Sequence, residues 1–219
     1  MRCLQQGYLA MFHRSHPLPR RSQLGFTLME LLIVLAISGI VMALATPNMS
    51  EQLSKRRVYG EVKSMRDALR LAKSAGESNK TFDSTNPAAI CPSSDGASCS
   101  GSWSDGFIAF GDVDGNGNFN GTDVILASQV GLSSNTTLKV DNLTSGTSVS
   151  LIRLTTQGYT ASFDSNNAPY YLFTFCNKYA TSKYHIAGVG YGPGGVIRMA
   201  ADTNNDGIPE FNGVNLTCP

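Results

Sequence analysis

The 219-residue sequence contains no Cys-x-x-Cys pair, no Gly-x-Ser-x-Gly turn, no phosphate-binding glycine loop and no internal repeat. These absences remove the usual sequence grounds for a zinc or dithiol centre, a serine hydrolase and a nucleotide hydrolase. Histidine is scarce. Of three, His13 and His16 precede residue 26, and His185 alternates within an apolar strand pattern, a packing position rather than that of a general base. Enzyme activity is therefore not expected. Positive charge is scarce where a polyanion would need it. From Thr81 to the end there are five basic residues against eleven acids, the reverse of a nucleic-acid-binding balance, so DNA is not an expected partner.

What is present is concentrated at the N-terminus. Residues 1–25 carry Arg2, Arg14, Arg20 and Arg21 and no acid, so the rest of the chain has a formal net charge of −3 against +1 for the whole. From Phe26 to Ala45 runs FTLMELLIVLAISGIVMALA, 20 residues with one charge, Glu30. A helix of that length spans about 30 Å, roughly a bilayer core. The basic residues ahead of it keep the N-terminus cytoplasmic and send the remainder across. No small-residue cut follows Ala45, as an ordinary secretory signal would require. Instead Thr46-Pro47-Asn48-Met49 leads into a polar helix, with Pro47 at the change of character. A carboxylate inside such a run costs about 3 kcal/mol in lipid, so Glu30 calls for a function.

Gly25-Phe26-Thr27-Leu28-Met29-Glu30 resembles the prepilin cleavage signal of type IV pilins and type II secretion pseudopilins. The resemblance implies that prepilin peptidase cuts after Gly25 and methylates the new N-terminal Phe26. It also implies that Glu30 becomes an assembly residue, pairing with the N-terminal amine of a neighbouring subunit in a filament. The leader would then be residues 1–25.

Beyond Pro47 the pattern is amphipathic. Val58, Val62, Met65, Leu69 and Ala72 recur at helical spacing, while Lys55, Arg56, Arg57, Lys63, Arg66, Arg70 and Lys73 occupy the other faces. Asp67 and Arg70 lie within helical reach of one another. One long helix is expected from about Phe26 to Ala75, with Gly76 as a stop. The basic face reads as solvated or subunit-facing. From Phe107 onward the texture is of short strands separated by turn residues: Phe107–Phe110, Val124–Ala127, Leu138–Val140, Val149–Leu154, Tyr159–Phe163, Tyr170–Cys176, Tyr184–Val189 and Val196–Met199. The expected fold is α+β and pilin-like, with a long N-terminal helix over residues 26–76, its 26–45 half transmembrane or in the filament core, then an antiparallel β-rich domain over 77–219.

Cys91-Pro92-Ser93-Ser94-Asp95-Gly96, Cys99, Trp103-Ser104-Asp105-Gly106-Phe107-Ile108-Ala109-Phe110 and the later strand Tyr171–Cys176 resemble the GspH/FimT branch of the pilin-like proteins. This resemblance implies a minor type IV pilin that primes or caps assembly with other minor pilins and the major subunit. The alternative is a minor pseudopilin at the tip of a type II secretion pseudopilus. Either would sit in a bacterial inner membrane with a periplasmic C-terminal domain. A third reading is a pilus-tip adhesin or DNA receptor. However, the basic Gly-Arg motif of FimT-like DNA-uptake proteins has no counterpart in Gly188–Arg198, which holds glycines and one arginine.

Cys3 falls in the leader, leaving Cys91, Cys99, Cys176 and Cys218. An even set in a translocated domain reads as two disulfides with three possible connectivities, of which proximity favours Cys91–Cys99 with Cys176–Cys218. Calcium is the one cofactor the sequence offers. Asp112, Asp114, Asn116, Asn118, Asn120 and Asp123 stand at positions one, three, five, seven, nine and twelve of a loop with Gly117 at six, close to the EF-hand spacing. Asp123 stands in place of the usual glutamate, no helix pair surrounds the loop, and the same residues suit a hairpin turn. A second run from Asp202 to Glu210 has the first half of such a loop, with Gly213 at the twelfth place.

Overall fold

The computed structural model describes residues 25–78, 87–155, 157, 170–180 and 183–218, without the side chains of 44–48, 180, 183 and 193. The expected strand Tyr159–Phe163 and leader residues 1–24 lie outside the described residues. Helix α1 spans Leu28–Ser78. The chain divides into two compact units, Met1–Ala45 and Thr46–Pro219, so the boundary falls within α1, immediately before Thr46-Pro47.

In the first unit the apolar side chains are exposed on every side of α1: Leu28, Leu31, Leu32, Ile33, Val34, Leu35 and Ile37 all keep half or more of their surface. Among the described residues no helix is long and apolar enough to cross a membrane. The described side chains of the apolar run end at Ala43, because those of residues 44–48 lie outside them.

The second unit is built on the amphipathic part of α1. Val58, Val62, Met65, Leu69 and Ala72 are each within 1% of full burial, and Ala68 joins them. Helix α1 runs through the expected stop at Gly76 to Ser78, the last described residue of this segment. Gly76 is a packing residue instead: a Cβ there would meet Pro87 Cγ at 3.0 Å.

Two antiparallel sheets enclose that face. The first has the order β3-β2-β1-β6, from β1 (Ala88–Pro92), β2 (Gly106–Gly111), β3 (Val124–Val130) and β6 (Ile152–Leu154). The second has the order β5-β4-β7-β8-β9, from β4 (Thr136–Asn142), β5 (Thr147–Ser148), β7 (Tyr171–Ala180), β8 (Lys183–Gly192) and β9 (Val196–Met199). A short hairpin, β10 (Glu210–Phe211) with β11 (Val214–Asn215), follows. The period-two alternation of strands sends Ala88, Ile90, Phe107, Ala109, Phe173, Phe175, Val189 and Tyr191 toward the helix core. The reverse face of the first sheet buries Ala89, Cys91, Ile108 and Phe110 under Phe119 and Leu151. The reverse face of the second buries Leu172 under Phe211 and Leu216. Gly190 permits that cover, since a Cβ at this position would fall 1.9 Å from Phe211 Cζ.

Two departures from the expected strands have physical causes. Ala88–Pro92 is a strand without alternation because it is central in its sheet, paired with β2 and β6, and both faces are covered: Ala88 and Ile90 by the helix core, Ala89 and Cys91 by Phe119 and Leu151. The expected strand Val149–Leu154 shortens to Ile152–Leu154 because the Val149 carbonyl accepts from the Trp103 indole N–H instead of pairing in the sheet. Cys91 bonds Cys99 and Cys176 bonds Cys218, with Cα separations of 5.6 and 5.8 Å. The second bond closes 42 residues of sequence, and chain-entropy arguments give such a loop roughly 4 kcal/mol of stabilisation.

Candidate functional site

The processing end of the chain is laid out by a helix cap. Thr27 Oγ1 accepts the Glu30 N–H at 3.2 Å and the Thr27 carbonyl accepts the Leu31 N–H at 3.2 Å. Thr27 is therefore the N-cap, and Thr27-Leu28-Met29-Glu30 has the spacing of a capping box. Two consequences follow. Gly25 and Phe26 stay ahead of the helix and exposed, with open space around Gly25 among the described residues. Glu30 falls in the first turn, where a carboxylate complements the exposed N–H groups and the positive end of the helix dipole.

Asp112, Asp114 and Asp123, three of the residues proposed for calcium, do come together, with carboxylate oxygens within 4.8 Å of one another. The loop is closed by its own hydrogen bonds. Asp112 accepts from Gly115 N–H at 2.8 Å and Gly117 N–H at 2.7 Å, and Asp123 from Val113 N–H at 2.9 Å and Asn120 N–H at 2.8 Å. Asp114 accepts from Asn116 and from the Asn120 side chain. Asn116 and Asn120 turn their amide oxygens to the N–H groups of Asn118 and Thr122, while Asn118 uses its amide nitrogen on the Asn116 carbonyl. Gly117 adopts φ +75° at the sixth place, which only glycine accepts readily. Arg153 of β6 lies against it and donates to its carbonyl at 3.3 Å. Burial pushes the Asp112 carboxyl up, against the pull of the Gly117 and Gly115 N–H groups, while the Asn116 N–H holds Asp114 down.

The second loop makes a shorter version of the same turn. Asp202 Oδ2 accepts the Gly207 N–H at 2.9 Å, Asn204 Oδ1 the Asp206 N–H at 2.9 Å, and Asp206 Oδ1 the Ile208 N–H at 2.8 Å. Its third acid is Glu210, which the sequence spacing placed at position nine and which the structure buries.

His185 stacks on Tyr179 with ring centroids 4.5 Å apart, and burial pushes its pKa down. The sequence also missed how polar groups fix α1 on the sheets. Buried Ser54 donates to Asn177 Oδ1 at 2.6 Å, buried Glu61 accepts from the Ser133 N–H at 2.8 Å, from its hydroxyl at 2.6 Å and from the Gln129 amide, and Lys73 donates to the Gly195 carbonyl at 3.1 Å. No local pattern could have signalled pairings across 68 to 123 residues.

A family model described as the prokaryotic N-terminal methylation motif matches residues 20–46. No curated protein and no solved structure matches the chain. The matched segment holds Gly25, Phe26 and Glu30, the motif implies processing by prepilin peptidase and assembly with pilins, and the long helix packs on antiparallel sheets. The chain thus carries the N-terminal methylation motif of type IV pilin-like and pseudopilin-like subunits on a pilin-like α+β fold, a kind of protein that is generally non-enzymatic.

Proposed function

We propose that this subunit is a minor type IV pilin, which helps prime or cap pilus assembly with other minor pilins and the major subunit. The observation that carries the reading is the capped, exposed Gly25-Phe26 junction in front of an apolar helix whose side chains find no cover in their own unit. In this reading the peptidase removes residues 1–25 and methylates Phe26. Residues 26–45 hold the subunit in the inner membrane until assembly, and the domain lies in the periplasm, where Cys91–Cys99 and Cys176–Cys218 are stable. In the filament Glu30 faces the Phe26 amine of a neighbour, so two charges that are costly in an apolar bundle neutralise one another.

The choice of a FimT-like minor subunit rests on Trp103-Ser104-Asp105-Gly106 leading into β2 and on the strand β7 that carries Cys176. A minor pseudopilin of a type II secretion system shares these features and is the second reading. A tip adhesin or DNA receptor draws less support, because the domain is acidic. Deleting the gene in the bacterium that encodes it decides between the first two. Loss of surface pili and twitching with normal exoprotein secretion is expected; secretion loss with intact twitching would move the subunit to the pseudopilus.

A further inference from the structure

The Asp202–Glu210 loop carries a defect that the Asp112–Asp123 loop does not. Glu210 is 7% exposed, its Oε2 accepts the Thr203 N–H at 2.6 Å and the Thr203 hydroxyl at 2.7 Å, and its Oε1 is buried with no hydrogen-bond donor among the described residues. A buried carboxylate oxygen without a partner carries a desolvation cost of a few kcal/mol, more when the group is charged. The same carboxylate belongs to a cluster with Asp202 and Asp206, their ligand oxygens all within 4.8 Å. No salt bridge reaches these three acids among the described residues, and no lysine or arginine follows Arg198 in the sequence. Three carboxylates, one of them buried with an idle oxygen, converge where no ion pair among the described residues reaches them.

We propose that Asp202, Asp206 and Glu210 form a calcium site that fastens the C-terminal segment to the second sheet. The donors are all hard oxygens, which suits calcium rather than a thiophilic or imidazole-seeking metal. The turn is already shaped: Gly207 at φ +87° presents its N–H to Asp202, and Asn204 and Asn215 donate to Asp206 Oδ2 at 3.1 and 2.8 Å. The site is coupled to the core by the next residues. Glu210 pairs with Ala201 across a β-bridge, Phe211 packs on Leu172, and Cys218 is bonded to Cys176 of β7. Glu210 thus acts as the buried ligand that ties the ion to the sheet. The inference stands independently of the filament reading.

The test is calorimetric titration of the mature full-length chain in detergent micelles with calcium chloride, after chelator treatment, alongside thermal melts. Glu210→Gln should bind one calcium equivalent fewer than the unsubstituted chain. At calcium about a hundredfold above Kd, the melting temperature of the unsubstituted chain should exceed that of Glu210→Gln by about 5–10 °C. Asp206→Asn, at an exposed position, gives the same loss if Glu210→Gln does not fold. An equal number of equivalents in these variants, no calcium binding by the unsubstituted chain, or an equal response to magnesium chloride overturns the proposal. So does loss of the calcium response on Asp114→Asn alone, which would place the ion in the other loop.

Discussion

The two parts of α1 are equally helical and differ in what covers them. Leu32, Ile33 and Val34 in the first unit each keep more than half of their surface exposed, whereas Val62, Met65 and Leu69 in the second keep none. The more apolar part is the more exposed one. Hydrophobic content therefore does not decide burial here; the presence of a partner surface does. Two sheets supply it for Val58–Ala72, and Ser54, Glu61 and Lys73 fix the alignment with hydrogen bonds to Asn177, Ser133 and Gly195. For Leu28–Met42 the partner has to come from outside the unit, and a filament core or a bilayer is such a surface.

The largest effect expected from this contrast is at the junction ahead of the first part. Gly25→Leu should leave the chain unprocessed, since the side chain would enter the position next to the cut, and intact mass of the membrane-fraction protein should show residues 1–25 retained. A Cβ at Gly25 meets nothing within 4 Å among the described residues, so the substitution should leave the domain folded and its melting temperature unchanged. A normally cleaved variant would mean that the cut lies elsewhere.

Next in size is a paired truncation. Met65→Ala removes a fully buried side chain from the core and should cost about 2–5 kcal/mol, lowering the melting temperature by roughly 5–15 °C. Leu32→Ala, with a similar loss of volume, should leave the melt of the domain in detergent unchanged, because its side chain is 55% exposed. Equal effects from the two would erase the distinction between the parts of the helix.

The face of the second part was legible in the sequence because it depends only on local period: Val58, Val62, Met65, Leu69 and Ala72 repeat at helical spacing whatever they pack against. The disulfide pairing was legible from proximity. The strand Ala88–Pro92 was not, since a segment buried on both faces loses its alternation. Nor were the Ser54–Asn177 and Glu61–Ser133 contacts, which depend on where the sheets bring distant residues. The two acidic loops show the limit most clearly. Residue spacing favours Asp112–Asp123, which makes the fuller calcium pattern, but in three dimensions each of its carboxylate oxygens already has a donor. The idle oxygen belongs to Glu210, and only burial reveals it.

The smallest effect concerns the seam between the second part of α1 and the strand that faces it. His185 sits near Glu51 and Lys55 of the helix and against Tyr179, and burial lowers its pKa from the ordinary 6.5, with the Glu51 charge opposing and the Lys55 charge assisting. Its Nε2 is buried without a hydrogen-bond partner among the described residues, and the Glu51 backbone gives only a lesser pull toward the protonated form. The unfolded chain takes up this proton first as pH falls, so the stability linked to neutral His185 is present above pH 6.5 and is lost as pH drops through the lower folded value. Asp95, Asp105, Asp114 and Asp206 are all held below 3.8 by hydrogen bonds, whereas Asp112, pushed up by burial, takes up its proton in the folded chain first and so opposes the decline at the acid end. Melting temperatures of the mature chain measured from pH 7.5 to 5 should therefore decline, and His185→Phe, which keeps a ring against Tyr179, should flatten the decline. A slope that survives the substitution would assign the proton to another group and detach His185 from the stability of the helix–sheet seam.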